Sequence, residues 1–188
     1  MRIGKSDLAI VALAGRRIDA VDAETVRFPL ATMPKVRQLL REFFIQENVS
    51  ALVCSAACGA DLLALDEATR LGIHGRVVLP YCRGQFRESS VVDRPGEWGS
   101  LFDRITDEAE RRGDLIVLGL AGDDRAFEIT NEALIYEARR LGRVTGIGVR
   151  LIAGIIWEGS PKGAGDITEH FRQLAVAAGF EEKLVRTQ

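Results

Sequence analysis

Three segments of this chain combine glycine with other small residues and lead into a stretch of helical period. They are Ala14-Gly15-Arg16-Arg17, Ser55-Ala56-Ala57-Cys58-Gly59-Ala60-Asp61 and Glu158-Gly159-Ser160-Pro161-Lys162-Gly163-Ala164-Gly165-Asp166. Small residues at a helix start leave backbone N–H groups free and accessible, and with the helix dipole they form a site for phosphate or another anion. The chemistry indicated is the binding of a small anionic ligand, with Gly15, Ser55, Gly59, Lys162, Gly163 and Gly165 as candidate contacts. A Gly-rich turn is equally a tight turn, so no single loop is diagnostic; three on one sheet edge carry more weight. Arg83 and Arg87, in the segment 80–90, add guanidinium groups able to grip phosphate in bidentate fashion, or else form a solvated basic loop tied to Glu88.

Other residues have competing roles. Asp61 falls at a helix start, where a carboxylate suits the dipole whatever the function; as a ligand group it would accept from a ribose hydroxyl. Asp66, further along that helix, reads as part of a solvated face. Asn131 shares an apolar stripe with Phe127, Leu134 and Ala138, so its amide needs a partner, either buried backbone or a ligand in the crevice between the first and fourth strands. Cys58 sits at a helix N-terminus, which can activate a thiol, but no His in the loops is available as its base. His74 and His170 are isolated, and Trp157 and Tyr81 either stack on a base or pack. No Gly-Lys-Ser/Thr follows the glycines, and no acidic residue ends the second strand, which disfavours a P-loop ATPase and a dinucleotide-dependent dehydrogenase.

The elements that must position these residues alternate. Apolar runs Leu8 to Ala14, Ser50 to Cys54, Arg76 to Pro80, Asp114 to Leu120 and Ile147 to Ile156 have strand length. Helical periods lie between them, the first after Thr32 as N-cap with Pro34 in its first turn, the second from Ala60 to Gly72. A third carries Trp98, Leu101, Phe102, Ile105 and Ala109, a fourth runs from about Arg125 to Leu141, and a last holds Ile167, Phe171, Leu174, Ala175 and Ala178 on one stripe. The expected fold is α/β, a Rossmann-like three-layer sandwich with a mostly parallel sheet of about five strands in the order 3-2-1-4-5, and ligands in such sheets bind beyond the carboxyl ends of the strands.

Composition limits the alternatives. The 188 residues suit one domain, 1–188, without linker or repeat. The 25 Lys+Arg and 27 Asp+Glu nearly cancel, and with two Trp and two Tyr they argue against a nucleic-acid partner. No apolar run approaches the ~20 residues of a membrane span, and the N-terminus lacks a signal cleavage site, so a cytoplasmic protein is expected. Two His and three Cys without ligand spacing predict no metal, no disulfide and no cofactor. Tyr136 and Ile129, off the main stripe of the fourth helix, point to a homodimer.

Taken in order, ALAGRR, CSAACGADLLALDEA, VVLPYCRGQFRESS, a helix carrying Thr130-Asn131, and WEGSPKGAGDITEHF resemble the SLOG superfamily. These Rossmann-like proteins include cytokinin-activating phosphoribohydrolases and domains proposed to sense nucleotide-derived ligands. The resemblance runs from Leu8 to about Gly179. It implies binding or sensing of a nucleotide or nucleotide-derived phosphorylated ligand, with contacts from Gly15, Arg16, Cys58, Gly59 and Asp61. It also implies an alternative, N-glycosidic hydrolysis of nucleoside monophosphates. In that branch a Pro-Gly-Gly-x-Gly-Thr-x-x-Glu loop holds phosphate, matched by Pro161, Gly163, Gly165 and Glu169, with Glu169 and Asp61 as the catalytic candidates. Lys162 replaces a Gly and Asp166 the Thr, and Asp166-x-x-Glu169 is also a helix capping box.

Overall fold

The computed structural model describes residues 8–123, 125–146 and 148–188. Ile147, where the fifth strand was expected to begin, lies outside them. Six strands form one sheet: β1 Ala9–Gly15, β2 Val49–Cys54, β3 His74–Leu79, β4 Leu115–Val117, β5 Arg150–Trp157 and β6 Glu181–Arg186. Every pairing is parallel and the order is β4-β3-β2-β1-β5-β6. The class is the Rossmann-like α/β sandwich that the alternation predicts; the order differs from 3-2-1-4-5 in two respects. The three-residue β4 adds outside β3 instead of beside β1, and a sixth strand closes the far edge. The fourth crossover therefore spans the sheet, and the reversal of winding falls between β1 and β5.

The helices are α1 Met33–Gln46, α2 Ala60–Arg70, α3 Arg83–Ser90, α4 Trp98–Arg112, α5 Arg125–Thr145 and α6 Ile167–Ala177. They separate into two layers because strand residues alternate sides. Ala9, Val11 and Leu13 of β1 face a core shared with α1, α2, α3 and α4, while Ile10 and Ala12 face one shared with α5 and α6. The segment 80–90, read as a loop from sequence, is mostly helix: α3 turns Phe86 and Ser90 inward.

Helix α2 is buried over nine successive residues, Ala60 to Ala68, being covered by the sheet, α1 and α4. Asp66 is accordingly 4% exposed, not solvated as its sequence position suggests, and it pairs with Arg37, Arg70 and Arg104. Two glycines let α2 press against the end of β1. A Cβ on Gly15 would lie 2.5 Å from Ala60 Cβ, and Gly59, at φ +96°, would put one 2.7 Å from the Arg16 carbonyl oxygen. Tyr136 of α5 is largely exposed. Among the described residues, no helix is long and apolar enough to cross a membrane.

Candidate functional site

A cavity of about 290 Å³ opens beyond the carboxyl ends of β1 and β2 and reaches the loop after β5. Open parallel sheets bind ligands at this point, where the strand order reverses. One wall is apolar, formed by Leu13, Phe86, Phe127, Leu134 and Ile167; the polar lining includes Arg17, Ser55, Asp61, Thr130, Asn131 and Lys162.

Asp61 enters from the first turn of α2 and is 7% exposed. One carboxylate oxygen accepts the Ala57 N–H at 3.2 Å; the other has no hydrogen-bond partner among the described residues. Burial pushes this carboxyl up to about 7 against the opposing pull of the Ala57 N–H and the Arg17 charge. A group so placed can accept from a ligand hydroxyl or carry a proton near neutrality.

The loop after β5 is organised by Asp166, the N-cap of α6. Its carboxylate accepts from the N–H groups of Lys162 (2.6 Å), Thr168 (2.9 Å) and Glu169 (3.4 Å), and from Arg16 Nη1 (2.7 Å). Burial acts to raise this carboxyl, but the Arg16 guanidinium and the backbone donors outweigh it and hold it at about 2. The reciprocal half of the capping box is not made, because Glu169 binds Arg172 Nε at 2.7 Å and Gln173 Nε2 at 2.9 Å instead.

Arg16 is itself consumed. Besides Asp166 it donates to Glu158 at 2.7 and 3.2 Å and to the Ser160 carbonyl at 2.8 Å, and its guanidinium lies 5.5 Å from the centre of the Trp157 ring. Arg27 joins Glu158 from the loop after β1. Arg17 pairs with Asp93, while its Nε is buried without a partner among the described residues. The Lys162 ammonium makes no ion pair there.

The structure therefore brings together Gly15, Arg16, Ser55, Asp61, Asn131, Lys162 and Gly165 around the cavity. Asn131 donates to the Ile167 carbonyl at 2.9 Å and contacts His170 Nδ1 at 3.1 Å, so its partners are in α6. Cys58, Gly59, Gly163 and Glu169 do not line it. Burial raises the Cys58 thiol pKa against the opposing pull of Arg17, the reverse of what a thiolate nucleophile needs. Arg83 and Arg87 stand away from the cavity. As residues i and i+4 of α3 they share one face, and that face meets α4, where Arg83 binds Asp107 at 2.6 Å and Arg87 binds Asp103 at 3.0 Å. Tyr81 and Trp157 are packing residues, Tyr81 against Phe86 and Phe127.

Phe86, Phe127 and Arg17 line the cavity although the sequence does not mark them as contacts, and Thr130, of the Thr130-Asn131 pair, lines it beside Asn131. Arg17 was signalled by its place in the first glycine loop; the two phenylalanines look like ordinary core residues in a helical stripe. Among the described residues, no group of three or more His, Cys, Asp or Glu is arranged to hold a metal ion.

Fold and site together define an all-parallel Rossmann-like α/β domain with a cavity at its switch point. No family model matches the chain, and no curated protein matches it. Among solved structures it is similar to the X-ray structure of DNA processing protein A from Streptococcus pneumoniae, with a TM-score of 0.43 and 12% identity. The match covers 96% of this chain and 58% of that one, and it concerns the fold alone.

Proposed function

We propose that the chain binds a nucleotide-derived small molecule across the carboxyl ends of β1, β2 and β5. The observation that carries this is the Asp61 carboxyl, which lines an apolar-walled cavity with one oxygen unpartnered among the described residues. A ribose hydroxyl satisfies that oxygen, a base lies against Phe86, Phe127 and Leu134, and any phosphate turns toward the Lys162 ammonium. The SLOG resemblance of the three loops supports the same reading. Thermal denaturation against a panel of nucleosides and nucleotides tests it: at least one should raise the Tm, and Ser55→Phe, which fills the cavity, should abolish the shift. A flat response across the panel would sink it.

Hydrolysis of an N-glycosidic bond is the second reading, favoured by a carboxyl poised near neutrality in the cavity. Glu169, held outside the cavity by Arg172, is not available for it. Asp61 would then be the acid or base, and release of free base from nucleosides and their monophosphates should be lost in Asp61→Asn. Binding without release leaves a binding protein.

A further inference from the structure

We infer, on the basis of that binding reading, that the cavity takes a nucleoside in its unphosphorylated form, because carboxylates of the chain already occupy its anion cradles. At the start of α6 the N–H groups of Lys162, Thr168 and Glu169 converge with Arg16 on Asp166. That is the donor set a phosphate would use, and it is filled by a side chain that is 2% exposed. The start of α2 is committed in part. The Ala57 N–H goes to Asp61, the Cys58 N–H to the Ser90 carbonyl and the Ala60 N–H to the Arg16 carbonyl.

The cations tell the same story. Arg16 is shared between Glu158 and Asp166, Arg17 is paired with Asp93, and Arg83 and Arg87 are paired with α4. Among the described residues Lys162 alone remains without an ion pair among the lining cations, set against one lining carboxyl that no cation pairs, Asp61. A phosphate dianion would enter a cavity whose one unpaired cation already faces an unpaired carboxyl, and it would find the donor set at the start of α6 taken by Asp166. An uncharged sugar meets no such opposition. Its hydroxyls donate to the Asp61 oxygen that faces the cavity and that no described residue bonds. At about 290 Å³ the cavity sits at the small end of ligand clefts, roughly 300–1,000 Å³.

Calorimetric titration of the whole chain with adenosine, guanosine, cytidine and uridine, each beside its 5′-monophosphate, and with inorganic phosphate as control, tests the inference. One nucleoside should bind, and its monophosphate should bind at least about tenfold more weakly. Asp166→Ser keeps a hydroxyl cap for α6 while opening the cradle, so it should narrow that gap. If that variant does not fold, Asp61→Asn provides the same comparison: it should weaken the nucleoside and narrow the gap by removing the second carboxyl. A monophosphate that binds the unaltered chain as tightly as its nucleoside overturns the inference and leaves the binding reading standing. No binding by any of the panel overturns the binding reading and this inference with it.

Discussion

Asp61 and Asp166 lie in the same cavity lining and are driven in opposite directions by what surrounds them. Asp166 gains four donors, one of them a guanidinium, and they hold its carboxyl at about 2; Asp61 gains one backbone N–H, which burial overrides, and it rises to about 7. The consequences for stability have opposite signs. Asp166 is deprotonated more readily folded than unfolded, so its contribution is present above the usual carboxylate pKa and is lost as pH falls toward 2. Asp61 is protonated more readily folded than unfolded, so the folded state loses stability as pH rises from about 4 to about 7 and then levels. The size of that loss is roughly 4 kcal/mol at most, at about 1.4 kcal/mol per tenfold in proton affinity. Asp61→Asn should therefore flatten the decline over this window and raise stability above pH 7, measured by urea denaturation at a series of pH values. An unchanged pH slope would show that the carboxyl is hydrated and not held in the cavity as described. A group that destabilises the empty protein yet faces a cavity is expected where binding, not folding, explains the residue.

At the scale of elements, the cause of the Arg83 and Arg87 placement is helix α3. Both side chains project toward the acidic face of α4, whose Asp103 and Asp107 are substantially exposed. Pairs of that kind contribute little. The double variant Arg83→Ala/Arg87→Ala should thus lower the Tm only slightly and leave ligand titrations unaltered; loss of binding would mean that α3 swings its arginines into the cavity. This helix was hidden from sequence because 83–90 is polar, has no side-chain N-cap and follows a proline-led segment that reads as a turn. β6 was hidden for a related reason. Glu181–Arg186 carries four charges in six residues, and of its side chains only Val185 is buried, as suits an edge strand. By contrast β1, β2 and β5 were legible because strands covered on both faces are apolar throughout. The glycine loops were legible too, since Gly15 and Gly59 mark the contact between β1 and α2 that only glycine permits. What spacing alone could not reveal was occupancy. It locates the anion cradle of α6 but not that Arg16 would seal Asp166 into it from 150 residues away.

The molecule as a whole is fastened at the same place. Thr187, fully buried, donates from its hydroxyl to the Arg27 carbonyl at 2.6 Å, accepts from the Thr32 hydroxyl at 2.8 Å, and continues the sheet through its N–H to Trp157. The loop between β1 and α1 is thereby tied down beside β6. From that loop Arg27 reaches Glu158, Glu158 holds Arg16, and Arg16 holds Asp166 at the mouth of the cavity. A contact at the far edge of the sheet is thus linked to the N-cap of α6 by consecutive ion pairs, each buried or half-buried. Thr187→Val preserves shape while stranding the Arg27 carbonyl, at a cost of about 1–3 kcal/mol. If the ion pairs act as one unit, the amides of Thr168 and Glu169, which donate to Asp166, should exchange with solvent faster in this variant relative to those of β2. Equal acceleration everywhere would indicate a global loss of stability instead, and the cap of α6 would then be set locally by Asp166 and Arg16 alone.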